Sequence, residues 1–146
     1  VTEKYNQAGG KIAFSMTFQD STGEYPYDIS SLQGFLPIDA ISAPLGVFGT
    51  ILPGAEVRPA ATNDFPILRT VGSIQYVRSL TENNIIAENI YDLFDRDGIR
   101  LGNVAFRTRT KNLFFIGMPL NQCNGGQANV SVLLTKIFFE DFGVTP

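Results

Sequence analysis

The stretch Leu113-Phe114-Phe115-Ile116-Gly117-Met118-Pro119-Leu120-Asn121-Gln122-Cys123-Asn124-Gly125-Gly126, with the segment that follows it to Gly143, decides the fold. Its first six residues carry no polar side chain, so the strand they form asks to be covered on both faces. After the Asn-Gly-Gly turn, apolar residues recur at Val130, Leu133, Leu134, Ile137 and Phe138. That is the i, i+3, i+4, i+7, i+8 spacing of a helix with one face on a core, and Gly143 supplies its stop. A doubly covered strand followed at once by a covering helix predicts an α/β fold, a mainly parallel sheet flanked by helices.

Working outward, Lys11 to Phe18 reads as a strand with Ile12, Phe14, Met16 and Phe18 on one face and small residues on the other. Before it, Val1 to Gly10 resembles the last two turns of a helix, too short to nucleate alone. The chain is therefore read as a single α/β domain spanning 1–146 that forms the C-terminal portion of a larger domain or chain. Gln19 to Tyr27 is loop, and Asp28 is placed to cap a short helix through Ser31, Leu32 and Phe35. Ile38 to Pro66 is rich in Gly and Pro and reads as loop with short strands near Phe48 to Leu52, the candidate lid or interaction surface. Ser73 to Leu80 alternates as a strand. Ile85 to Phe94 and Ile99 to Arg109 read as two more, joined by the tight turn Asp95-Arg96-Asp97-Gly98 into an antiparallel hairpin extension of the sheet.

Composition narrows function mainly by exclusion. The 146 residues are 44% apolar and 12% aromatic with a net charge of −3, enough for one core without metal or disulfides. The negative balance argues against nucleic acid, which demands a concentrated positive field. No run approaches the roughly eighteen apolar residues of a membrane span. Histidine is absent, which removes the commonest general base, triad partner and zinc ligand. Tryptophan is absent too, leaving Phe and Tyr as the only aromatic platforms for a sugar or a quaternary ammonium. Neither a cofactor nor a metal is expected.

Three pieces together, Tyr5 to Ser15 (Y-N-Q-A-G-G-K-I-A-F-S), Gly102 to Thr108, and Leu113 to Gly143 (L-F-F-I-G-M-P-L-N-Q-C-N-G-G and the helix), resemble the latter part of class I glutamine amidotransferase-like domains. The closer likeness is to divergent versions in large secreted or surface bacterial proteins. The resemblance implies a flavodoxin-like fold and an extracytoplasmic location. It also implies a cysteine nucleophile on an elbow that would lie before Val1, and a His-x-Glu pair that would fall near Asn121 and Cys123. Neither residue can serve: Asn has no titratable nitrogen, and a thiol does not orient a histidine as a carboxylate does. A retained fold with lost amidotransferase activity follows.

Among the residues themselves, Asn121, Cys123, Asn124, Gly125 and Gly126 stand at a strand-to-helix turn. There, backbone amides can cradle an anion and a helix dipole can lower the Cys123 pKa. Arg107, Arg109 and Lys111 alternate along a strand as a basic ladder for a partner. Asp92, Asp95 and Asp97 near Gly98 faintly resemble a calcium loop without meeting its ligand spacing. Loop carboxylates (Asp20, Glu24, Asp28, Asp39, Glu56, Asp64) allow a paired-carboxylate hydrolase if two lie about 5 to 10 Å apart. Glu140-Asp141 is negative where a helix end prefers positive charge, so a cation or basic segment is expected there. The function expected is a non-catalytic structural or protein-interaction module of a multidomain extracytoplasmic bacterial protein. Its partner would be the preceding segment or domain of the same protein, or another protein. The alternative is a hydrolase completed by residues upstream of Val1 or by the loop carboxylates.

Overall fold

The computed structural model describes residues 10–18, 30–34, 36–60, 64–125 and 129–144. In chain order the elements are β1 (Ile12–Ser15), α1 (Ser30–Gln33), β2 (Ile38–Pro44), β3 (Thr50–Ile51), β4 (Glu56–Pro59), β5 (Leu68–Arg69), β6 (Ile74–Gln75), β7 (Arg78–Glu82), β8 (Ala87–Phe94), β9 (Arg100–Thr108) and β10 (Leu113–Ile116). A 3₁₀ turn (Leu120–Gln122) and α2 (Asn129–Thr135) follow, and α2 continues as a π-helical segment (Lys136–Asp141). The helix read from Val1 to Gly10 falls, but for Gly10, outside the described residues.

The mainly parallel, flavodoxin-like sheet flanked by helices does not form. The main sheet has the order β1-β10-β9-β8-β4-β5, and its one parallel pair is β1 with β10, Ile12 opposite Leu113 through Ser15 opposite Ile116. All its other pairings are antiparallel. Strand makes up 42% and helix 16% of the structure. The reason is linker length. A parallel crossover needs about a dozen residues, whereas β8 reaches β9 through Asp95 to Ile99 and β9 reaches β10 through Arg109 to Asn112. The β8–β9 hairpin, expected as an extension, is the middle of the sheet. Its turn is closed by Asp95, whose Oδ1 accepts the amides of Asp97 and Ile99, each at 2.9 Å.

β10 is buried on both faces, as its composition requires, but one face is covered by a β-ribbon. Phe114 and Ile116 share a core with Leu133, Ile137 and Phe142 of the C-terminal helix. Leu113 and Phe115 share a second core with Phe106, with Leu36, Ile38 and Ile41, and with Leu80. Phe115 stacks between Phe18 (centroids 5.4 Å) and Phe106 (5.3 Å).

The sheet curls until its far edge meets the chain beyond β10. Asn124 bridges Arg69 of β5, the Gly125 amide donates to Arg69 O (2.9 Å), and the Val71 amide donates to Gln122 O (2.9 Å). That edge is closed by the chain itself. At the other edge, the amides of Ile12 and Met16 donate inward to Asn112 O and Ile116 O. The strand's alternation then turns the backbone of Ala13 and Ser15, both exposed, outward. Among the described residues no strand pairs with this margin.

Two short ribbons complete the fold, β2 with β7 and β3 with β6. The segment expected as continuous strand from Ser73 to Leu80 breaks at Tyr76, whose φ of 63° swings the chain from one ribbon to the other. β7 passes so close to β9 that a Cβ on Gly102 would lie 2.5 Å from Ser79 Cβ. In the C-terminal helix the buried positions are Leu133, Ile137 and Phe142, spaced by four and then five. The Phe142 amide reaches back five residues to Ile137 O, and this widened turn rolls Phe138 outward although the simple helical period places it inside.

Candidate functional site

The strand-to-helix turn is built to hold the sheet closed. Asn121 is exposed on the 3₁₀ turn, Asn124 and Gly125 are occupied by Arg69, and Gly126 lies outside the described residues. Of the amides an anion would need, that of Gly125 is already spent on a carbonyl. Cys123 is fully buried, its thiol 3.5 Å from Pro119 O, and burial pushes its pKa up to about 12. This reverses the lowering expected from a helix dipole: α2 begins six residues further on, and desolvation dominates.

The basic ladder dissolves into separate roles. Arg107 is turned into the structure, bonded to Glu88 and, through Nη1, to both oxygens of Asp141 (3.0 and 3.1 Å), with its guanidinium 5.4 Å from the Phe65 ring centroid. Burial alone would lower its pKa, but Glu88 and Asp141 outweigh that and hold it above the ordinary value. The cation sought by the negative helix end is thus Arg107 of the same chain. Arg109 donates to Asn84 O (2.8 Å) and ties down the β7–β8 turn, while Lys111 sits exposed at φ 60° beyond the strand.

Among the described residues, most of the acidic candidates are tied to partners of their own. Asp92 accepts from Arg100 (2.9 Å) and Asn89 (3.0 Å), and Asp95 is spent on its own turn. Among the described residues no group of three or more His, Cys, Asp or Glu converges as a metal site. Glu56 lies between Arg58 (2.9 Å) and Arg69 (3.1 Å), and hydrogen bonds from both hold its carboxyl below the usual range, the wrong direction for a general acid. Asp64 is likewise lowered by Lys136 (3.0 Å), and Asp39 is exposed. Asp20, Glu24 and Asp28 lie outside the described residues.

The candidate lid or interaction surface, Ile38 to Pro66, contains β3, which pairs with β6 as a short ribbon, and what the sequence does not single out there is Phe48 itself. Residues Val47 to Thr50 form a two-residue hairpin loop, closed by both Val47–Thr50 amide-to-carbonyl bonds at 3.0 Å, with Phe48 at φ 51° and Gly49 at φ 76°. Two positive φ values in succession make a type I′ turn, whose first position favours Asn, Asp or Gly. Phe48 occupies it and is 102% exposed, with Val47 exposed beside it. Phe48-Gly49 was the available signal: a turn dipeptide with an aromatic where Asn belongs. Tyr76, beside β6 in the same ribbon, is a second aromatic at positive φ and is 39% exposed.

A cleft lies on each side of this ribbon. One, of about 250 Å³, is lined by Val47, Ile51, Leu52 and Leu101 together with Asp95, Arg96 and Asp97 of the β8–β9 turn. The other, about 450 Å³ and more open, lies beyond the C-terminal ends of β1 and β10. No helix among the described residues is long and apolar enough to cross a membrane. No protein-family model matches the chain, and no curated protein or solved structure does either.

Proposed function

We propose that this domain is a non-catalytic protein-interaction module that docks its partner through the tip of the β3–β6 ribbon, with Phe48 as the anchor. The observation that carries the reading is the display of Phe48. A fully exposed aromatic side chain contributes nothing to the core, and its backbone sits where an L-residue costs about 1–2 kcal/mol. Strain that folding does not repay is a mark of a working surface. Rigid exposed aromatics are also the side chains that dominate docking energies. The cleft beside Val47, with Ile51, Leu52 and Leu101 as apolar wall and Asp95, Arg96 and Asp97 at its border, gives a partner segment a place to continue the contact.

The test is photo-crosslinking from p-benzoylphenylalanine placed at position 48 in the intact protein in its own cell. A defined cross-linked polypeptide is expected from position 48 and not from position 85, where Ile85 is an exposed apolar control on the β7–β8 turn. Equal labelling at both positions, or none at 48, sinks the reading.

A further inference from the structure

The more open cleft carries chemistry of a different kind. Its polar lining is Thr17, Thr50, Ser73, Gln75, Tyr76 and Gln122, and none of these side chains is charged at neutral pH. Elsewhere in the fold comparable groups are consumed: Ser15 bonds Met118 O and the Leu120 amide, Ser42 the Ser79 amide, Asn103 Leu80 O and Glu82. Among the described residues, no such bond engages any of the six side chains at the cleft. Hydroxyls and carboxamides both donate and accept, so the ligand that matches them has groups that do the same and brings no charge to be left unpaired. Ile74 and Pro119 add apolar wall, and Tyr76 adds a half-exposed ring.

The cleft is also held ready. A Cβ on Gly72 would come within 2.8 Å of Gln122 Oε1, so glycine makes the room for that amide. The Val71 amide fixes Gln122 O, and Ser15 fixes the turn that carries Pro119. Tyr76 keeps a φ of 63°, a second strained backbone at the same ribbon. About 450 Å³ lies within the ordinary range of small-ligand sites. From this we infer that the cleft is a binding site for a neutral saccharide, its hydroxyls met by Gln75, Gln122 and the Thr and Ser side chains, and the C–H face of a sugar ring resting on Tyr76.

The experiment combines a neutral glycan array with backbone amide NMR on the intact protein, using cellobiose, maltose and N,N′-diacetylchitobiose as first probes and inorganic phosphate as the charged control. Binding of a neutral glycan is expected to shift the amides of Thr17, Gln75 and Gln122, and phosphate is expected to leave them in place. Tyr76→Asn, which suits the backbone but removes the ring, and Gln122→Ala are each expected to weaken binding by about tenfold or more. Ile85→Asn, at an exposed position outside the cleft lining, is expected to leave it unchanged. No neutral glycan bound on the array, phosphate bound as well as sugar, or sugar bound equally by the Tyr76→Asn/Gln122→Ala double variant would each overturn the inference.

Discussion

Replacing Phe48 by asparagine tests whether the ribbon tip is shaped by something other than folding. At φ 51°, followed by Gly49 at φ 76°, the turn is the one for which Asn-Gly is the preferred pair. An L-residue in the left-handed region costs about 1–2 kcal/mol, and asparagine recovers part of this by hydrogen-bonding locally. Because Phe48 is 102% exposed, its removal forfeits no burial. The balance is a gain of about 0.5–1 kcal/mol, or roughly 1–4 °C in Tm for a domain of this size. Urea unfolding measures it as a rise in midpoint at constant slope, and the same variant should lose the partner contact. A variant less stable than the parent by more than about 0.5 kcal/mol refutes the reasoning, because the ring would then be packed within the fold.

Arg107→Ala leaves Asp141, whose side chain is 5% exposed, beside no guanidinium. A loss of about 3 kcal/mol is expected in denaturant unfolding, part of it restored by adding Asp141→Asn. In the native state Cys123 should resist thiol reagents and become labelled only as fast as the chain opens. Since burial raises its pKa from 9.0 to about 12, its stabilising contribution is complete below pH 9 and declines as pH rises from there toward 12. Cys123→Ala should flatten that alkaline limb only partly, because burial raises the Tyr91 hydroxyl as well. Glu56 works in the opposite sense. Its folded pKa lies below the ordinary 4.5, so its contribution is present above pH 4.5 and lost as pH falls through the folded value. Glu56→Gln should therefore make stability less steep in acid, read as the midpoint of urea unfolding against pH.

The strand at Leu113 to Ile116, the helix behind it and the turn at Asp95 to Gly98 were legible because each is a local pattern with a strong period or a turn signature. The β8–β9 hairpin pairs as its sequence predicts, but the mainly parallel order expected for the rest of the sheet is wrong, and the linkers of four or five residues around β9 already rule out parallel crossovers there. β2 was hidden for a local reason. Register shifts between Ile38 and Ala40 and between Ile41 and Pro44 leave its buried residues three apart, which no period-two test detects. The π-helical turn displaced Phe138 in the same way, by one residue of irregularity. At the candidate site, Cys123 and the Asn-Gly residues attract notice by type, while Cys123 serves the core and Asn124 and Gly125 meet Arg69 of β5, a distant strand that local pattern does not reveal. Phe48 carried a signal in the Gly49 that follows it, whereas Tyr76 stands out only once its φ is known, because nothing in a single aromatic letter states its backbone conformation.

The two margins of the main sheet are unlike, and this bears on how the protein behaves when crowded. A fibre needs a unit that can be extended at both ends, each addition offering a fresh template for the next. Here β5 is sealed by the Gln122 to Gly125 segment, so of the main sheet's two margins the one left open among the described residues is that of β1. Two molecules meeting there about a two-fold axis would use up each other's growing end, and accretion would stop at the pair.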